Sequence, residues 1–206
     1  MDPQWLTWAK RLQAISQTGL TYAKDPFDRE RYQEVRQIAA EITAGGSNES
    51  VERLLELFGR QEGYATPKVD VRGVVFSHDK ILLVKERIDD AWTLPGGWAD
   101  IGQSPKECVV REVMEESGYV VRALKLLAVY DREKHPHHPP LPFHIYKHFF
   151  LCEIVGGEAR CSSETSAVDF FSETDLPPLS ITRITPEQIH RMFEHYRNPA
   201  LPCDFD

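Results

Sequence analysis

Three carboxylates crowd five consecutive positions of this chain: Glu112, Glu115 and Glu116, in the run Arg111-Glu112-Val113-Met114-Glu115-Glu116-Ser117-Gly118. On a helix, Glu112 lies three residues from Glu115 and four from Glu116, so all three share one face. Like charges at that spacing repel by roughly 0.2–0.5 kcal/mol per pair. A bound cation removes the repulsion, and an all-oxygen donor set suits a hard ion such as Mg2+ or Mn2+.

The helix is delimited at both ends. Ser104-Pro105-Lys106-Glu107 has the form of a capping box with proline at the first helical position. Gly118 is a left-handed stop. Val109, Val113 and Met114 give an apolar side, with the glutamates off it. A row of glutamates on a helix is often only a solvated face. Here Leu94-Pro95-Gly96-Gly97-Trp98 precedes it, and a glycine loop lets backbone approach a phosphate or a metal closely.

This stretch resembles the signature box of the Nudix hydrolases: glycine, five residues, glutamate, seven residues, then Arg-Glu-aliphatic-x-Glu-Glu-x-Gly-aliphatic. Gly97, Arg111, Glu112, Val113, Glu115, Glu116 and Gly118 take their places in it. Two positions depart. Gln103 stands where the family has its first glutamate, and Tyr119 at the last apolar site. Gln103 can still accept a hydrogen bond from Arg111, without charge assistance, and Asp100 is near enough in sequence to compensate.

The resemblance implies an α/β/α sandwich with a mixed sheet and a metal-dependent hydrolase of phosphoanhydrides. It implies Mg2+ (or Mn2+) held by Glu112 and Glu116, with the Gly97 carbonyl completing the cluster and Glu115 as a further ligand or supporting carboxylate. Arg111 would orient the loop and a glutamate. The general base is expected at Glu164, in Ser162-Ser163-Glu164-Thr165-Ser166, with Glu112 and Glu115 as alternatives. Arg72 could meet the diphosphate or stack on a base. Trp98 could stack on a base, and His144 could line the cleft. The histidines of the HPHHPPLP loop read as a recognition or connecting loop rather than a transition-metal site.

The rest of the chain frames this site. Residues 1–64 read as a small all-α domain, with Trp5, Trp8, Leu12 and Ile15 at helical spacing, then Tyr32, Val35, Ala39 and Ile42, then Val51, Leu54, Leu55 and Phe58. A cap at Asn48 or Ser50 would open the third run. Such a piece is marginal as an independent core, so it should pack on the rest of the chain or on a second copy, giving a homodimer. Residues 65–206 read as the Nudix domain. Strands are expected over 69–77 and 80–87 about a turn at His78-Asp79, then over 120–131, 144–154 and 167–171. A last helix is expected after the capping box Thr185-Pro186-Glu187-Gln188.

The net charge of −8 argues against a stable nucleic-acid binder, though not against a small nucleotide. Four scattered cysteines without C-x-x-C spacing read as reduced cytoplasmic thiols. No apolar run is long enough for a membrane span.

An N-terminal helical piece joined to a box of this style resembles the Nudix subgroup that includes CDP-choline pyrophosphatases and proteins described as ADP-ribose pyrophosphatases. The expectation ranked first is cleavage of CDP-choline to CMP and phosphocholine. The alternative is cleavage of ADP-ribose or another nucleotide sugar. From a different class, a non-catalytic nucleotide sensor ranks below both.

Overall fold

Two of the three N-terminal helices begin where the sequence supplies a cap. In α2 (Pro26–Gly45), Asp25 accepts hydrogen bonds from the backbone N–H groups of Phe27 and Asp28, and Pro26 opens the first turn. In α3 (Val51–Gly59), Ser50 is the cap and accepts from Arg53 N. Each such cap is worth about 1 kcal/mol. Together with α1 (Gln4–Tyr22) they enclose a small core of Ala39, Ala40, Leu54 and Phe58, with Leu12, Val51 and Leu55 packed against it. The buried residues of α1 are Leu6, Ala9, Gln13 and Ser16. Trp8, Ile15 and Tyr22, seven residues apart along the same helix, are more than half exposed.

This computed structural model describes residues 2–206 and divides into two compact units. The first is Met1–Pro67 with Pro140–His144, and the second is Lys68–Pro139 with Ile145–Asp206. In the second unit, β1 (Lys68–Ser77) and β2 (Lys80–Glu86) form a hairpin about His78 and Asp79, whose φ angles of 48° and 59° are those of a primed turn. The chain continues through β3 (Trp92–Thr93), α4 (Pro105–Ser117), β4 (Tyr119–Asp131), β5 (Ile145–Gly157), β6 (Thr165–Phe171), α5 (Pro186–Arg197) and β7 (Asp204–Phe205). The strand order is β3-β2-β1-β5-β4-β7, with β6 on the other side of β2. The sheet is mixed: β1 runs parallel to β5 and β4 parallel to β7, while the remaining pairs are antiparallel.

Strand alternation splits the core in two. On one face Val74, Leu127, Phe149 and Leu83 meet Ile189, Met192 and Phe193 of α5. On the other, Val71, Val75, Leu82 and Cys152 meet Cys108, Val109 and Val113 of α4. The result is an α/β/α sandwich that follows the three-helix region along the chain. Met114, expected on the apolar side of α4, is 40 % exposed. The strand expected from His144 begins one residue later, at Ile145. β7 has no counterpart in the sequence reading. It is held by Asp204, which accepts from Arg191, from the Tyr130 hydroxyl at 3.0 Å and from His195 at 3.1 Å.

Candidate active site

Helix α4 carries the three glutamates, and both of its ends are locked. Ser104 and Glu107 form the reciprocal capping box, and Gly118 at φ 79° donates its N–H to the Met114 carbonyl at 2.9 Å. A Cβ at Gly118 would meet the Glu158 carbonyl oxygen at 2.4 Å, so the stop is required by space as well as by conformation. The helix therefore enters the site in a fixed rotation.

The loop of Leu94–Gly97 is laid along β1. Gly73 N donates to Pro95 O at 2.8 Å, Val71 N to Gly97 O at 2.8 Å, and Ala99 N to Val69 O at 2.9 Å. Gly96 has φ 140°, and a Cβ there would lie 2.0 Å from the Val71 carbonyl oxygen. Only glycine permits this approach. It turns the Gly96 N–H onto Oε2 of Glu116 at 2.9 Å. The Gly97 carbonyl spends one lone pair on Val71 and keeps the second.

Glu116 is 6 % exposed. Burial pushes its carboxyl up to about 8, only partly offset by Arg72 and the Gly96 N–H, while Glu86 and Glu112 raise it further. Glu112, one turn earlier, is likewise raised by burial against the pull of Arg111. It lies against Gly97, since a Cβ on that glycine would be 3.2 Å from Glu112 Oε2. Two desolvated carboxylates one turn apart, beside a carbonyl with a spare lone pair, fit a hard divalent cation.

Arg111 gathers the rim of the site. It pairs with Glu112 at 2.9 Å, Glu115 at 2.7 Å and Asp100 at 2.7 Å, and its Nε–H donates to Gln103 Oε1 at 3.2 Å. Gln103 thus occupies the arginine through a neutral hydrogen bond, and Asp100 supplies the charged one. Glu115 is half exposed and engaged by Arg111.

The other expected residues divide. Glu164 is exposed on the turn before β6, and its backbone carbonyl accepts from Arg87 N at 2.9 Å. Trp98 is half exposed, and its backbone bridges Asp70. Arg72, expected to meet the diphosphate or stack on a base, is 4 % exposed and forked onto Asp70. His144 belongs to the segment that groups with the helical unit.

Sequence reasoning missed Glu86. It ends β2, is 7 % exposed, pairs with Arg183 at 3.2 Å and adds to the negative field at Glu116. An acid closing the apolar run Ile81-Leu82-Leu83-Val84 was its one visible signal. In the histidine-rich loop, His137 Nδ1–H donates to the Ile181 carbonyl at 2.9 Å. Burial, aided by Lys147 and Arg132, pulls that imidazole down to about 3.

Residues 66–192 match the family model described as the NUDIX domain, and residues 3–58 the one described as a UDP-X-like, N-terminal oligomerisation domain. The chain is 46 % identical over 206 residues to "Putative ADP-ribose pyrophosphatase YjhB" of Bacillus subtilis (strain 168), covering 100 % of this chain and 99 % of that one. An ADP-ribose pyrophosphatase from Streptococcus suis 89-1591 superposes with a TM-score of 0.62 at 45 % identity, over 68 % of this chain and all of the other. A UDP-X diphosphatase superposes with a TM-score of 0.65 at 35 % identity, over 98 % of both chains.

The neutral state of His137 sets a pH dependence. Its folded value is depressed, so between about 6.5 and about 3 the unfolded chain binds a proton that the folded chain refuses. Stability from this group is present above pH 6.5 and is lost as the pH falls through that window. Thermal unfolding of the wild type and His137→Gln from pH 7 to 4 should show the wild type losing several degrees more. Parallel curves would contradict the assignment.

Proposed function

The chain belongs to the Nudix hydrolase family, and on that premise we propose that it is a pyrophosphatase that cleaves ADP-ribose to AMP and ribose 5-phosphate. The observation that carries the chemistry is the pair of carboxylates, the partly buried Glu112 and the buried Glu116, one turn apart beside the Gly97 carbonyl. The choice of substrate is supported by the relatives named ADP-ribose pyrophosphatases, one of them matched along the full length of both chains. It places ADP-ribose above the CDP-choline ranked first from sequence. No helix among the described residues is long and apolar enough to cross a membrane, in keeping with a substrate met in water.

The reaction is hydrolysis of a P–O–P linkage, in which two anionic phosphates repel an incoming water. Members of the family generally use a divalent metal. Mg2+ (or Mn2+), when bound, neutralises the diphosphate and lowers the pKa of a coordinated water. Glu112, Glu116 and the free lone pair of Gly97 O would hold it. Arg111 keeps Glu112 oriented and occupies Glu115, so that Glu115 braces the site while remaining close enough to serve as an additional ligand. Glu164, exposed and unburdened by an ion pair among the described residues, takes the proton from the attacking water. Trp98 offers a half-exposed ring for base stacking.

The helical unit completes the reading. Trp8, Ile15 and Tyr22 form an exposed seam at the seven-residue spacing of helix pairing. The lower half of the seam borders a groove of about 580 Å³ lined by Gly19, Tyr32 and Tyr64. Together with the oligomerisation domain matched over residues 3–58, this favours a homodimer formed through α1.

A substrate panel with Mg2+ and product chromatography tests the activity. AMP from ADP-ribose at a kcat/KM at least tenfold above that for CDP-choline and UDP-linked sugars is expected. Preferential release of CMP or UMP would overturn the ranking. Light scattering tests the dimer: the wild type should be dimeric and Trp8→Glu/Ile15→Glu monomeric with its activity per chain retained. A monomeric wild type, or a variant that stays dimeric, would reject the seam.

A further inference from the structure

Arg72 is buried within a cluster of charges. Asp70 and Arg72 alternate along β1 and so face the same side, and Lys147 stands opposite Asp70 in the parallel register with β5. All three are 5 % exposed or less. Arg72 donates from Nε to Asp70 Oδ1 at 2.9 Å and from Nη2 to Oδ2 at 2.6 Å, a two-pronged ion pair. Lys147 Nζ donates to the same Oδ1 at 2.6 Å. Burial disfavours the Asp70 carboxylate, but Arg72 and Lys147 outweigh it and hold its carboxyl at about 2.

With Asp70 fixing one edge of the guanidinium, Nη1 points out of the triad and donates to the Leu94 carbonyl at 3.0 Å. Leu94 is fully buried and opens the Leu94–Gly97 loop. The next three residues make the loop's contacts to β1 and deliver the Gly96 N–H to Glu116. The triad carries two cations and one anion. Its excess positive charge is one that burial makes expensive unless compensated. The other carboxylates within electrostatic reach of Arg72 are Glu116, Glu86 and Glu112; Glu86 is already paired with Arg183 and Glu112 with Arg111. Around Lys147 stand Arg132 and His137, which add no negative charge. The charge left over therefore faces Glu116.

We propose that Arg72, clamped by Asp70 and Lys147, is the positioning residue of the metal centre: it holds the Leu94 carbonyl and so fixes the loop that orients Glu116 and Gly97. The inference rests on Glu112 and Glu116 as metal ligands. A lysine at position 72 keeps the charge but cannot grip both oxygens of Asp70 and the Leu94 carbonyl at once. Outer partners that orient metal ligands commonly contribute 10–100-fold in affinity.

The test is Mn2+ binding to the purified protein, read from the paramagnetic resonance of free Mn2+ without substrate. Arg72→Lys should bind Mn2+ about tenfold or more weakly while its circular dichroism stays native. Asp70→Asn/Lys147→Met, which removes one charge of each sign and conserves volume, should weaken binding similarly and serves if Arg72→Lys does not fold. Ile189→Ala, a core variant on the buried face of α5, reports lost stability alone and should leave the affinity unchanged. Wild-type affinity in a folded Arg72→Lys or Asp70→Asn/Lys147→Met would overturn the proposal, as would equal weakening in Ile189→Ala. Glu116→Gln separates the two levels. If it binds Mn2+ as the wild type does, the ligand assignment itself fails. If it alone loses the ion, only the positioning role fails.

Discussion

The second unit is organised around one buried carboxylate. Glu116 sits near the end of α4 with its side chain withdrawn from water and one oxygen on the Gly96 N–H. A lone ionised carboxylate in such a place costs several kcal/mol, and a pKa pushed up to about 8 is the expression of that cost. The surrounding structure keeps the group there regardless. The capping box and Gly118 fix the helix, the glycine loop lies on β1, and the Thr165 hydroxyl donates to the Glu116 carbonyl at 2.8 Å. A fold that holds a carboxylate where a proton is favoured over free charge also favours a divalent cation in the proton's place.

The same logic explains the division of labour among the charges. Arg111 lies at the rim, is partly solvated and pairs with several acids at once, so each of its pairs is worth little alone and the network serves orientation. Arg72 lies underneath, where a charge is costly to bury and its partners are correspondingly specific. The two arginines act on the carboxylates differently, Arg111 by a direct pair with Glu112 and Arg72 through its field at Glu116 and Glu112.

Local signals were legible in the sequence and long-range ones were not. The α4 boundaries, the turn at His78-Asp79, the cap at Ser50 and the capping box at Thr185 all depend on residues within four positions of one another, and the chain states them directly. The contact of Arg111 with Gln103 reaches across the cap and first two turns of α4 and was equally visible. The task of Arg72 was not legible because the cluster around it is completed by Lys147, on a strand paired in parallel, and by the Leu94 carbonyl, across connections that no spacing rule specifies. β7 was invisible because Asp204 and Phe205 form no periodic run, and their place depends on Arg191, His195 and Tyr130. Glu86 was missed for the same reason, its role being defined by Arg183 and Glu116, both distant in sequence. The chemistry was thus written in one contiguous segment, and the elements that hold it in place were distributed over the chain.

Whether Glu112, Glu116 and the Gly97 carbonyl hold the metal can be read from anomalous diffraction by crystals soaked in Mn2+. An anomalous peak is expected about 2.1–2.3 Å from carboxylate oxygens of both Glu112 and Glu116 and from the Gly97 carbonyl oxygen. A peak elsewhere in the second unit, with these three groups unligated, would contradict it.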